Sequence, residues 1–209
     1  MAGDAACYVV IVTQRNIMKR PNEFQSGMLS EQDLIHYVRE DYRNIDKVVD
    51  PTEAVQLAAV LNDPRALQFI EKPTEAVKLA TVRRNGYAIQ FIEDPSEIIQ
   101  LEAVQQNGLA LEYIDYPTEK VKFTAVSANA WALKYLDDPS ESIQLAAMKQ
   151  DGSALELIEN PSKVVVITAL LQMITDAHSI NDVHRWLAKY RDRNRPELEI
   201  IRKTCENLR

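Results

Sequence analysis

Four side chains near the C-terminal end, Asp176, His178, Asp182 and His184, are of types that bind metals. Their spacing matches no standard ligand pattern, and a helix break is expected between the two pairs, so no metal site is read here. Cys7 and Cys205 lie near opposite ends, have no histidine at a motif spacing and make no disulfide framework. A G-x-S-x-G elbow is absent. The chain has five glycines, and three of them fall in repeated turns, which leaves none for a phosphate-cradling loop. No pair of carboxylates stands apart from the repeats as an acid–base couple. The expectation is a protein with no catalytic residue, no cofactor and no metal: a binding protein, not an enzyme.

Two recurring surfaces could bind. The first is a row of acids, Glu71, Glu93, Asp94, Asp115, Asp137, Asp138 and Glu159, which returns once every 22 residues. Such a ladder of carboxylates suits a basic protein patch, or a DNA- or RNA-binding groove that the chain would block by imitating nucleic acid. The plainer reading is that helix starts want these charges for local reasons. The second surface comprises Arg83, Arg84, Tyr87, Leu109, Trp131 and Lys134, at positions that differ most from copy to copy. Arginine, tyrosine and tryptophan are the usual anchors of protein interfaces. The alternative is unconstrained surface, with Trp131 laid over a neighbouring turn.

The elements behind these rows are set by a 22-residue phrase written five times without insertion, from Pro51, Pro73, Pro95, Pro117 and Pro139, with a sixth start at Pro161. A period this short marks an α-solenoid of stacked helix pairs, in which each unit buries its apolar face only against the next. Numbering each copy from its proline, position 2 is Ser or Thr and position 3 is Glu in the five full copies. Asp50, Asp94, Asp138 and Asn160 precede the proline and are expected to be N-caps, with proline at N1 and glutamate closing a capping box from N3. Lys72 and Tyr116 in that place predict two less clean starts. Positions 5, 7, 9 and 10 are apolar, as in Ile99, Leu101, Ala103 and Val104, and position 6 (Gln56, Lys78, Gln100, Lys122, Gln144) is expected to face water. Asn85-Gly86, Asn107-Gly108 and Asp151-Gly152 read as helix ends with glycine in a left-handed conformation, one in which Ala130 would be strained. A second helix of about two turns, partly 3₁₀, follows, with alanine at position 16 throughout: Ala66, Ala88, Ala110, Ala132 and Ala154.

The stretch from Val77 to Ile89, Val-Lys-Leu-Ala-Thr-Val-Arg-Arg-Asn-Gly-Tyr-Ala-Ile, and the same stretch from Ile99 to Leu111 resemble the V-x-L-x-A-V-x-x-N-G-x-A-L pattern of an uncharacterised family of short α-helical repeats from bacteria, phages and giant viruses. Thr81 departs from it. A more distant similarity is to leucine-rich-variant repeats. The resemblance covers about half the chain and implies the fold, with no site residues to carry over. With the acidity, it suggests a phage- or virus-encoded inhibitor that occupies a host defence factor in the host cytoplasm.

The ends differ from the middle. Residues 29–50 read as a worn repeat that caps the stack, with Ser30 and Glu31 at positions 2 and 3. Residues 1–28 are an arm, in which residues 7–13 are β-branched and read as a strand with no visible partner, packed on the first helices or pairing with its twin in a homodimer. Residues 14–28 read as a connection. Residues 161–209 read as capping helices, with Val183, Trp186, Leu187 and Tyr190 at i, i+3, i+4 and i+7, and the whole is one continuous domain. Net charge is −2 over residues 1–50, −8 over 51–160 and +3 over 161–209. Acidity disfavours nucleic acid along the repeats; the basic end, where His184 to Arg195 interleave aromatic and basic residues, leaves a contact with phosphates open. The longest apolar run, residues 5–12, is too short to span a membrane, and Asp4 is out of place in a signal peptide. A cytoplasmic protein whose partner is another protein is expected.

Overall fold

The computed structural model describes residues 24–25 and 29–175. Among them, seven α-helices alternate with six 3₁₀ helices. The α-helices are α1 (Glu31–Glu40), α2 (Glu53–Asn62), α3 (Glu75–Arg84), α4 (Glu97–Gln106), α5 (Glu119–Ala128), α6 (Glu141–Gln150) and α7 (Lys163–Thr175). Between them run η1 (Tyr42–Lys47), η2 (Pro64–Phe69), η3 (Gly86–Phe91), η4 (Gly108–Tyr113), η5 (Ala130–Tyr135) and η6 (Gly152–Leu157). All seven α-helices begin 22 residues apart, and the worn repeat at 29–50 falls in that register. The fold is all-α, a solenoid-type repeat of short helix pairs packed in sequence order. Contacts divide the chain into an N-terminal unit, Met1–Thr81, and a C-terminal unit, Val82–Arg209.

Each repeat buries the same positions. In α4, Ile99, Ala103 and Val104 are fully buried, as are Val121, Ala125 and Val126 in α5. Burying a side chain of valine or isoleucine size stabilises by about 1.5–3 kcal/mol, so this shared interior holds the fold. Thr81, buried where other copies have alanine, donates its hydroxyl to Val77 O (2.7 Å) and leaves no polar group unmet. In the N-terminal unit, α1 buries Leu34 and Val38 while α2 buries five residues.

Helix starts differ from the expectation by one or two residues. The N-cap is the Ser or Thr of position 2, with proline outside the helix. Thr118 Oγ1 accepts from Val121 N (3.3 Å) and Ser96 Oγ from Ile99 N (3.4 Å). The glutamate is therefore N1, where no capping box reaches back. It reaches the neighbouring repeat instead: Thr118 donates to Glu97 (2.8 Å), Thr52 to Glu31 (2.6 Å), and Ser162 to Glu141. The Thr118 and Ser162 hydroxyls each cap their own helix as acceptor and tie two repeats together as donor. Tyr116 does not weaken the α5 start, because it is not the cap. Asp50, Asp94 and Tyr116 adopt left-handed backbone, φ 48°, 45° and 53°, to turn the chain into the proline. The helix α1 has a capping box, between Ser30 and Asp33.

Glycine and position 6 also act otherwise than expected. Asn107 and its equivalents are extended, and their side chains cap the 3₁₀ helix that follows: Asn107 Oδ1 accepts from Leu109 N (3.0 Å) and Asp151 Oδ1 from Ser153 N (2.8 Å). The glycine after them is buried and not left-handed. A Cβ on Gly86, Gly108 or Gly152 would collide with the carbonyl oxygen of Ala103, Ala125 or Ala169 on the next α-helix. Ala130 occupies the same place, buried, with its N–H donated to Gln150 Oε1 (2.9 Å), so no left-handed strain arises there. Gln56 is buried, and Gln56, Gln100 and Gln144 turn back to donate to the carbonyls of Pro51, Pro95 and Pro139 (3.0, 3.0 and 2.8 Å).

At the N-terminal end β1 (Phe24–Gln25) pairs in parallel with β2 (Val48–Val49), so part of the expected connection is strand. The strand read at residues 7–13 and the helices read after residue 175, with the Asp176, His178, Asp182 and His184 quartet, lie outside the described residues.

Candidate functional site

A 3₁₀ helix has three residues per turn, so positions 15 and 18 stand on one ridge. In η3, η4 and η5 the buried side is Ala88 and Ile89, Ala110 and Leu111, and Ala132 and Leu133. The outer ridge is Tyr87 and Gln90, Leu109 and Glu112, and Trp131 and Lys134. The Asn of position 13 fixes each ridge by capping its first turn. Four of the six residues read from sequence as a binding row, Tyr87, Leu109, Trp131 and Lys134, therefore lie on three successive ridges of the C-terminal unit.

These residues are held by cross-repeat contacts. Tyr87 meets Tyr113 edge to face with ring centroids 6.0 Å apart. Trp131 Nε1 donates to Asp151 Oδ2 (3.2 Å) on the next turn, which lays the indole along the surface with 36% of it exposed. Lys134 Nζ stands 4.6 Å from the centre of the Tyr135 ring. The Tyr135 hydroxyl donates to Glu112 Oε2 (2.8 Å). Lys134 draws the Tyr135 phenol down, but lost hydration and the Glu112 carboxylate outweigh it, and the net direction is up. Lys134 itself is raised, by its contact with Tyr135 first. These contacts hold Tyr87, Trp131 and Tyr135 in place.

Tyr113, Tyr135 and Glu112 were not singled out from sequence. Position 19 reads as core because it is Phe69 and Phe91 in two copies. The change to tyrosine is the signal, since a phenol needs a polar partner and sits at a surface.

Arg83 and Arg84 do not join this ridge. Arg83 ends α3 and makes a bidentate pair with Glu102 of α4 (2.9 and 3.1 Å), so it is not a free surface cation. The pair raises Arg83 and holds the Glu102 carboxyl below its ordinary range. Arg84 is exposed beside it.

All seven acids of the acidic row are exposed. Among the described residues, Glu93, Asp94, Asp115, Asp137 and Asp138 make no hydrogen bond or ion pair, so they are not side-chain caps; a helix-dipole role needs no such bond. Glu93, Asp94 and Asp115 line a cleft of about 610 Å³ with Gln100, Tyr113 and Tyr116; Tyr116 is 97% exposed. Among the described residues no grouping of His, Cys, Asp and Glu could hold a metal ion, and no helix is long and apolar enough to cross a membrane. Comparison with protein-family models, curated proteins and solved structures found no match to the chain.

Proposed function

We propose that the chain is a non-enzymatic protein-binding scaffold whose partner docks on the 3₁₀ ridge of the C-terminal unit. One observation carries this reading. An interior that hardly changes from copy to copy supports an outer ridge whose position 15 changes at every copy, with Tyr87 and Trp131 on it held by Tyr113 and Asp151. Anchors of this kind dominate the energetics of protein interfaces. A host defence factor as the partner, with this chain as its phage- or virus-encoded inhibitor, is the narrower form of the proposal and rests on the repeat resemblance.

The test is retention of a partner from the native host by the immobilised chain, identified by mass spectrometry, set against a Trp131→Ala/Tyr113→Ala variant. Loss of one specific protein with helicity unchanged is expected. The same proteins retained by both forms would refute the assignment.

A second reading, nucleic-acid mimicry, is favoured by the unpaired carboxylates Glu93, Asp94, Asp115, Asp137 and Asp138. Salt separates the two: a mimic competes for a charged groove, and its binding weakens steeply as salt rises, while aromatic anchoring barely responds.

A further inference from the structure

The outer face of α5, α6 and α7 gathers exposed large apolar residues; Leu61 of α2 and Ile98 of α4 are further examples at the same repeat positions. Its large apolar residues are left uncovered: Val164 is 57% exposed, Ile167 47%, Leu171 59% and Phe123 46%. They sit at positions 4, 7 and 11 of their repeats, the i, i+3, i+7 spacing of one helix side. Where α5 and α6 pack together, Phe123, Leu145 and Ala146 line a groove of about 510 Å³, edged by Ser127, Ser142 and Lys149. Contiguous exposed apolar surface of this kind marks an interaction site.

Charge states what should lie there. The three helices carry four lysines against two glutamates, within a chain of net charge −7. Lys122 is used by Glu119 (2.9 Å), and Glu119 and Glu141 accept from Ser140 and Ser162. Lys120, Lys149 and Lys163 are exposed and make no ion pair among the described residues. Spacing adds a second constraint. Stacked helices repeat about every 10 Å, and a helix advances about 10.5 Å in seven residues. A helix laid across α5, α6 and α7 therefore meets one apolar row per heptad.

We propose that the face of α5, α6 and α7 around Phe123, Leu145, Ile167 and Leu171 is a docking groove for an acidic amphipathic helix of a partner protein. This rests on the reading of the chain as a binding scaffold and adds a surface separate from the 3₁₀ ridge. Other occupants fit the charge less well. The chain's own apolar run at residues 5–12 has no carboxylate, the segment from His184 to Arg191 is basic, and a second copy would set lysine against lysine.

The probe is a fluorescein-labelled synthetic helix of about three heptads, with leucine at i, i+3 and i+7 and glutamate on either side. One control has lysine for every glutamate, and another has the same composition scrambled. Fluorescence polarisation with the full chain should show saturable binding of the glutamate peptide, about tenfold or more tighter than either control. Phe123→Asp with Leu171→Asp should weaken it about tenfold or more, with helicity unchanged. Lys149→Glu with Lys163→Glu should weaken the glutamate peptide and strengthen the lysine peptide, a reversal that misfolding cannot produce. Trp131→Ala should leave this binding intact, so failure here and failure of the ridge assignment are told apart. Equal binding of all three peptides, or of none, overturns the proposal. So does binding that emerges only when residues 176–209 are removed, which assigns the face to the chain's own end. A concentration-dependent dimer that Phe123→Asp dissolves overturns it in favour of a second copy.

Discussion

In the C-terminal unit the α-helical row and the 3₁₀ row have the same neighbours and the same period, yet they divide their residues differently. An α-helix at 3.6 residues per turn spreads its buried positions over a wide arc: Ile143, Ala147 and Met148 of α6 are all sealed, and the apolar stripe continues onto the outer side. A 3₁₀ helix at three per turn sets its residues on straight ridges. Ala154 and Leu155 of η6 are sealed, while Ser153 and Glu156 stand on the outer ridge. The α row therefore holds the stack together and has little freedom. The 3₁₀ row can change its outer ridge without touching the interior, which is where Trp131, Leu109 and Tyr87 differ.

The sharpest test of this division sets one substitution in each row side by side. Ile143→Ala removes a fully buried side chain between repeats and should lower stability by about 3 kcal/mol. Trp131→Ala removes a larger side chain that is more than a third exposed and should lower it by well under half as much. Urea denaturation measures both, with the m value unchanged in each. Equal losses would mean that the 3₁₀ ridge is structural after all.

The next effect concerns where the two rows meet. Gly108→Ala puts a methyl group against the Ala125 carbonyl and should destabilise by about 1–3 kcal/mol. Gly108→Asn discriminates further. Asparagine tolerates left-handed backbone, so it would be accepted if glycine served a left-handed turn. With close approach as the cause, Asn should be at least as harmful as Ala in the same urea titration.

That contrast also explains what the sequence makes legible. Period, helix count and the buried positions 5, 9, 10, 16 and 17 could be read, because they repeat and each copy confirms the others; positions 6, 7 and 19 could not, as buried Gln56 and exposed Phe123 and Tyr113 show. The cap could not, since Asp-Pro-Ser/Thr-Glu fits two alignments, with proline inside or outside the helix. What decides between them is the bond from the position 2 hydroxyl to the previous repeat's glutamate, as from Thr118 to Glu97, which no single copy displays. Glycine was ambiguous for a similar reason, although Ala130 and Pro64 at the same position already argued against left-handed backbone. The β1–β2 pairing is two residues long and has no pattern to read. Of the candidate row, the variability of Tyr87, Leu109, Trp131 and Lys134 made their place on the outer surface legible. The pairing of Arg83 was not, because its partner Glu102 lies in the next copy.

The smallest effect expected is electrostatic, and it sets an ion pair of the α row beside one of the 3₁₀ row. Arg83 joins α3 to α4 through Glu102, while Arg43 binds back to Asp41, the cap of η1, within a single turn. The Arg43 side chain, and then its N–H, bring the Asp41 carboxyl to about 2, and the Arg83 side chain holds Glu102 below its ordinary range. Both carboxyls are lowered on folding, so their contribution is complete above the unfolded pKa and disappears as pH falls through the folded value. For Asp41 the window runs from the ordinary carboxylate range near pH 4 down to about 2. Carboxyl-detected NMR titration should show both shifts. Arg83→Gln should return Glu102 to its ordinary range and leave Asp41 untouched, and Arg43→Gln should bring Asp41 only part of the way back, because the backbone N–H at position 43 still donates to it, and leave Glu102 untouched. Both arginines are exposed, so salt near 1 M should shrink both shifts. A Glu102 titration indifferent to Arg83→Gln would show that the contact between α3 and α4 is made by the apolar interior alone.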